Sequence, residues 1–411
     1  MRYAKIITYI VVIIVLLFSC EIFRGNDQKE KEVPGGEVVW RLDNEDELTV
    51  STQPAIDDGN VYFIQDAKLK SYTLAKGNPR WSQQICNEGR TCDYSRTIVQ
   101  TKDRLFIDQG FTIQAHDKSN GRIIWETWIT ENSEEVSGIG SPVMSQDESY
   151  LYTGRDGYAL KVRKSDGEII RRYPLDRLVP DGVTQGSNEP VISPFGEDIL
   201  YVPTHYYDRT TPGEEEFGSN MFAFDAGTGD ILWETRVEYK IDNFATEEPG
   251  DSVVVSPPIY DISVTDSSIV ALQGKSIVVL NRFNGEMRWF TNFPESGFDV
   301  GLAVKDGGIY AASVGNFAHK VDLQTGEELW RRNIRYSNTS IPTVQNGRFY
   351  FNNSSGANIW VLDTDDGSVI YKEPPPNFFA DNFDVYISSL GVGEGYMVNV
   401  GSKAVYCLTV P

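Results

Sequence analysis

The stretch Asp322-Leu323-Gln324-Thr325-Gly326-Glu327-Glu328-Leu329-Trp330 decides how this chain folds. An aspartate placed to accept nearby backbone N–H groups, followed by a glycine free to take positive φ, is hairpin-turn chemistry. The same turn recurs at Asp117 to Gly121, Asp225 to Gly229 and Asp363 to Gly367. More broadly, a glycine is followed four residues later by a large side chain at Gly36, Gly77, Gly121, Gly167, Gly229, Gly285, Gly326 and Gly367. The side chains are Trp40, Trp81, Trp125, Arg171, Trp233, Trp289, Trp330 and Tyr371, and the spacings between glycines are 41, 44, 46, 62, 56, 41 and 41 residues. That period is one propeller blade.

Three further strand-like runs lie between one turn and the next. After Trp330 they are Ile341-Pro342-Thr343-Val344, then Gly347 to Asn352, then Asn358 to Asp363. Each is rich in β-branched or aromatic residues and bounded by turn formers, so every period carries four short strands. The aromatic side chains Trp40, Trp81, Trp125, Trp233, Trp289, Trp330 and Tyr371 are expected to dock between blades, an indole burying on the order of 200 Å².

The last run, Val405 to Leu408, matches the third strand Ile359 to Leu362, so the final blade lacks an outer strand. Gly36-Glu37-Val38-Val39-Trp40 is an outer-strand sequence with no blade before it. It is expected to pair with the C-terminal strand and remove an exposed edge. The expected fold is all-β: a monomeric, eight-bladed propeller of four-stranded antiparallel blades over residues 36–411, closed by its N-terminal strand. The 36 glycines, 19 prolines and 12% aromatic content suit many strands and tight turns. Length alone points to two or three domains, but a blade cannot bury its faces without its neighbours, and the repeat overrides that prior.

Arg2 and Lys5 precede an apolar run from Ile6 to Phe18, and Leu17-Phe18-Ser19-Cys20 has the form of a bacterial lipoprotein cleavage box. The run is short for a membrane span, which needs about 20 residues. Residues 1–19 read as a signal peptide, with a retained anchor as the alternative. Cys20 reads as the acylated residue that holds the chain to a membrane, and residues 20–35 as a solvated tether. Glu21 after the lipid cysteine resembles outer-membrane sorting in enteric bacteria. The expected location is the bacterial envelope, at the outer membrane facing the periplasm, with surface exposure as the other option.

The formal net charge is −22, and signal-peptide removal would take away two more cations. That charge disfavours nucleic acid as a partner and favours a basic protein, a cation or plain solubility. Cys86 and Cys92 bracket a short loop, and in an oxidising compartment a disulfide across it is expected. Cys407 falls in the last strand as a buried, small apolar residue. His116, His205 and His319 lie in three different blades, so no metal cluster is expected from them.

In a propeller the connections from outer to next inner strand, and from second to third strand, emerge on one face. The longest are of these two kinds. An insertion from Pro203 to Ser219 carries Tyr206, Tyr207, Glu214, Glu215, Glu216 and Phe217, and the connection from Tyr239 to Ser252 carries Phe244, Glu247, Glu248 and Asp251. Residues 374–383 add Phe378 and Phe379. Loops beyond a repeat's minimum length are where binding is built, so these residues form the candidate partner surface.

The turn-plus-tryptophan pattern resembles the docking motif of pyrroloquinoline-quinone (PQQ)-type propeller repeats. Some proteins with such repeats are quinoprotein dehydrogenases with PQQ and calcium at the axis. That resemblance would imply a tryptophan under the quinone, a cation at its carbonyls, a Glu/Asn/Asp calcium set and an Asp base. Six tryptophans are taken up by docking, leaving Trp128 and Trp360, and no calcium set or base maps onto a motif, so neither catalysis nor PQQ with calcium is expected. In length, cleavage box, tether and blade number the chain resembles the BamB family of outer-membrane assembly lipoproteins. That resemblance implies a scaffold bound to the periplasmic part of a barrel insertase. The alternatives are a carbohydrate-, polymer- or signal-binding surface lipoprotein and, third, a PQQ-dependent enzyme.

Overall fold

A computed structural model describes residues 36–44, 52–65, 67–85, 97–109, 111–129, 144–155, 157–179, 186–187, 190–208, 216–242, 252–298, 301–313, 315–335, 340–353, 358–375 and 388–411. Eight antiparallel blades follow one another at 55–84, 99–128, 145–174, 186–236, 259–292, 302–333, 343–373 and 391–409, the last completed by Val38–Asp43. In the first seven the strands run in sequence order across the blade, and in the eighth Val38–Asp43 lies outside Ala404–Thr409.

The blades show why each strand has its composition. In blade 7 the second strand Arg348–Asn353 and third strand Asn358–Asp363 are buried along most of their length. Neighbouring blades cover both faces of these strands, so they read as continuous apolar runs. The outer strand of blade 6, Glu328–Asn333, is buried fully only at Trp330, and alternates because one face meets solvent. The core is therefore a set of layers between successive blades. One contains Val270, Val279, Phe298 and Ile309 of blades 5 and 6 and the connection between them.

The two chain ends meet in blade 8. Trp40 pairs with Cys407, Arg41 with Tyr406 and Leu42 with Val405. The N–H of Gly36 and the carbonyl of Thr409 continue this pairing at 3.0 Å. Val38–Asp43 thus covers the edge that Ala404–Thr409 would otherwise expose.

Blade 4 departs from the minimum at the insertion expected between its second and third strands. Its second and third strands, Ile199–Asp208 and Glu216–Asp225, pair from Ile199 with Asp225 through to Asp208 with Glu216. Most of the insertion is an extended hairpin, which satisfies its own backbone groups where a long loop would need outside partners. Pro203 sits inside the strand opposite Met221. The connection to blade 5 likewise forms a hairpin, Tyr239–Asp242 with Ser252–Val255. The roots of the two hairpins are tied together. The Ser219 N–H donates to Ser256 Oγ at 2.9 Å, its hydroxyl to Pro257 O at 2.6 Å, and Val237 N–H to Ser219 O at 2.8 Å.

Candidate functional surfaces

The periphery is an eightfold lock. A Cβ added to each of the eight turn glycines would fall within 2.1–2.8 Å of the large side chain of the preceding blade: Tyr371 at Gly36, Trp40 at Gly77, Trp81 at Gly121, Trp125 at Gly167, Arg171 at Gly229, Trp233 at Gly285, Trp289 at Gly326 and Trp330 at Gly367. Each indole N–H also donates into the turn it covers, from 2.6 Å for Trp40 to Leu74 O to 3.2 Å for Trp289 to Leu323 O. Arg171 fills the same place with its aliphatic stem against Gly229 and donates to Gly227 O at 2.9 Å. These side chains hold the ring together, and the six indole N–H groups are all satisfied.

On the long-connection face, Tyr206 is 3% exposed, against the expectation of a partner-facing ring. Its ring lies against Gly218 on the paired strand, where a Cβ would come within 2.1 Å, and Arg236 stands 5.8 Å from its centroid. The extended hairpin has turned that position inwards. Tyr207 pairs with Phe217 and Asp208 with Glu216 in the backbone ladder at the far end of the hairpin. Glu214, Glu215, Phe244, Glu247, Glu248, Asp251, Phe378, Phe379, and the cysteines Cys20, Cys86 and Cys92, lie outside the described residues.

The histidines are packed within their blades. His116 is buried, with Nδ1 3.0 Å from Gly121 O and Nε2 3.1 Å from Gln114 Oε1. His319 is buried between Phe293 and Phe298, with Nδ1 2.7 Å from Glu328 Oε1 and Nε2 3.0 Å from Ser296 Oγ. Burial lowers the pKa of both, as it does for His205, although Glu328 pulls His319 the other way. Ser296 is only 2% exposed, and this buried Ser–His–Glu chain ties blade 6 to the connection that enters it. Cys407 is buried and its thiol is pushed up to about 12 by burial. Trp360 is buried and stacked on Phe351, whereas Trp128 is 53% exposed on an outer strand. Among the described residues no group of three or more His, Cys, Asp or Glu side chains could hold a metal ion.

Three features were invisible to sequence reasoning because each joins residues from different blades. Arg155 and Asp108 form a buried ion pair between blades 3 and 2, with Nη2 at 2.6 and 2.7 Å from the two carboxylate oxygens. The face carrying the short turns holds two adjoining clefts of about 590 and 470 Å³, between blades 1 and 2 and between blades 2 and 3, separated by the turn Lys102–Arg104. Asp57, Arg80 and Lys118 line the first and Glu148, Arg163 and Lys164 the second, so neither selects one sign of ligand. Arg282 of blade 5 reaches the turn of blade 4, donating to Glu197 at 2.6 and 2.7 Å. That bond holds the Glu197 carboxyl below its ordinary pKa and raises that of Arg282.

Ring, docked indoles and glycine turns together define an eight-bladed propeller of PQQ-like repeats. The family model described as outer membrane protein assembly factor BamB matches residues 30–270 and 273–377, and the chain belongs to that family. It is 22% identical over 380 residues to the lanthanide-dependent methanol dehydrogenase of Methylorubrum extorquens, covering 84% of this chain and 54% of that protein. The chain thus spans about half the length of that relative. Among solved structures, BamB from Moraxella catarrhalis superposes with a TM-score of 0.59 at 14% identity, covering 91% of this chain and 97% of that one. A europium-containing methanol dehydrogenase does so with a TM-score of 0.66 at 11% identity, over 91% and 93%. At such identities the superpositions establish the fold alone.

Proposed function

We propose that this protein is a non-catalytic scaffold of the bacterial envelope, acylated at Cys20, tethered through residues 20–35 and docked on the periplasmic part of an outer-membrane barrel insertase. The observation that carries this reading is the BamB family match, which extends over most of the propeller. It also accounts for the cleavage box ending at Cys20 and for a ring whose aromatic side chains are spent on holding blades together. The long-connection face, with Tyr207, Glu214, Glu215, Glu216, Phe217, Phe244, Glu247, Glu248, Phe378 and Phe379, is the first place to seek the insertase contact. Cys86 and Cys92 are proposed to bridge and stiffen a loop on that face. In-cell crosslinking of the tagged, acylated chain, followed by mass spectrometry, tests the reading. An insertase among the dominant partners is the expected result, and its absence would remove the assembly role.

A second reading, a PQQ-dependent enzyme, is favoured by the 22% identity to a methanol dehydrogenase across 84% of the chain. It predicts a rise in thermal midpoint when PQQ is added with calcium or a lanthanide. The scaffold reading predicts no change.

A further inference from the structure

The turn between third and outer strand carries, two residues after its first position, Ala75, Ser119, Ser165, Gly227, Gln324 or Asp365 in six blades. In blade 5 that place is Phe283. The turn between first and second strand holds two or three polar or glycine residues in the other seven blades, such as Asp58-Gly59, Asn346-Gly347 or Thr101-Lys102-Asp103, but in blade 4 it is the longer Ser193-Pro194-Phe195-Gly196-Glu197-Asp198. Phe195 and Phe283 are 46% and 58% exposed, so neither ring serves the core. An aromatic where the other blades carry a small or polar residue, beside a second in a turn longer than theirs, is a feature of that junction and not of the fold.

The two rings are also held in place. Arg282, buried between the blades, puts its guanidinium carbon 4.9 Å from the Phe195 centroid and 4.5 Å from that of Phe283. The guanidinium is itself fixed by both Glu197 oxygens, by Asp266 O at 2.7 Å and by Ser193 Oγ at 3.2 Å. Exposed aromatics ordered before a partner arrives lose little entropy on binding, and phenylalanine is among the residues enriched in protein interfaces.

We propose that Phe195 and Phe283 are the anchors of a protein-docking surface on the short-turn face of blades 4 and 5, and that the partner offers an apolar pocket rimmed by lysine or arginine. The charge around the rings selects that partner. Asp198, Asp266 and Glu286 are exposed on these turns and the strand that follows, outnumbering the exposed Arg288 that bonds Ser267 and Ser268; Arg282 is neutralised by Glu197, and the chain carries a net charge of −22. The same acidic rim repels a second copy of this face and an anionic bilayer. The surface lies opposite the long connections. It rests on the scaffold reading only in requiring a protein partner.

The photo-reactive amino acid p-benzoylphenylalanine placed at Asn284 of the full, acylated chain tests it in native envelopes. The expected crosslinked peptide contains apolar residues flanked by Lys or Arg, its yield falls roughly tenfold in the F195S/F283S variant, and high salt weakens it. F195Y/F283Y, which keeps both rings, retains the yield, and both variants keep the parent thermal midpoint because the rings are exposed. Crosslinks only to lipid or to a second copy, or a yield untouched by F195S/F283S, overturn the proposal. A parallel probe at Phe378 separates the two readings. Insertase crosslinks from Phe378 with silence at Asn284 sink this surface and leave the scaffold, whereas no protein at either position sinks both.

Discussion

Gly121 has a φ of +77°, and a Cβ there would stand 2.4 Å from the Trp81 ring. Substituting it therefore combines backbone strain with overpacking of a docked indole, and G121V is expected to destabilise the ring by roughly 2–4 kcal/mol. Truncating a buried docking indole, W330A, should cost about 3–5 kcal/mol. Chemical denaturation of each variant checks both values, and a loss below about 1 kcal/mol would mean that docking is not what holds neighbouring blades. Titration acts in one direction. His116, His205 and His319 have folded pKa values below 6.5 because of burial, so the unfolded chain binds protons first and stability falls as pH drops below that value. The turn carboxyls of Asp117, Asp225, Asp322 and Asp366 lie below 3.8. The largest cause is the Ser119 or Ser368 hydroxyl for Asp117 and Asp366, and the N–H of Thr228 or Thr325 for Asp225 and Asp322. Their contribution is complete above 3.8 and is lost as pH falls through the folded values. The thermal midpoint should decline from pH 7 to 5 and again below pH 4, with H319Q flattening the first decline. A midpoint constant from pH 7 to 5 would contradict this assignment. At this scale the sequence displayed the docking residues, since glycine and indole stand four positions apart. It concealed the inward turn of Tyr206 and the Phe195–Arg282–Phe283 stack, because register and inter-blade contact decide those and neither is local.

The strand Val38–Asp43 is the element that closes the ring. Its role is legible in the sequence, because the chain ends on a third-strand pattern while Gly36 to Trp40 is an outer-strand pattern left without a blade of its own. Deleting residues 36–43 leaves the edge of Ala404–Thr409 open and removes Trp40 from Gly77, so the loss should exceed the ~3–5 kcal/mol of one truncated indole. Light scattering during thermal unfolding should also show earlier association through that edge, and a stable, monomeric deletion variant would contradict the closure. The hairpins of blade 4 show the limit of reading elements from sequence. Pro203 and the polar run after it look like a loop, yet Pro203 fits the ladder opposite Met221 and the strands continue to Asp208 and Glu216. Pairing supplied by the facing strand outweighed local propensity.

At the scale of the whole molecule, the outer edge is committed to cohesion and the two faces remain for partners. A net charge of −22 sets the sign of what they attract, so association with a basic partner should weaken as salt screens it. The most direct test of the scaffold account is binding of the full chain in detergent to the purified periplasmic part of the host's barrel insertase, measured by titration calorimetry with and without PQQ and calcium. The account predicts saturable one-to-one binding, unaffected by the cofactor. No binding to the insertase, together with saturable uptake of PQQ, would contradict it.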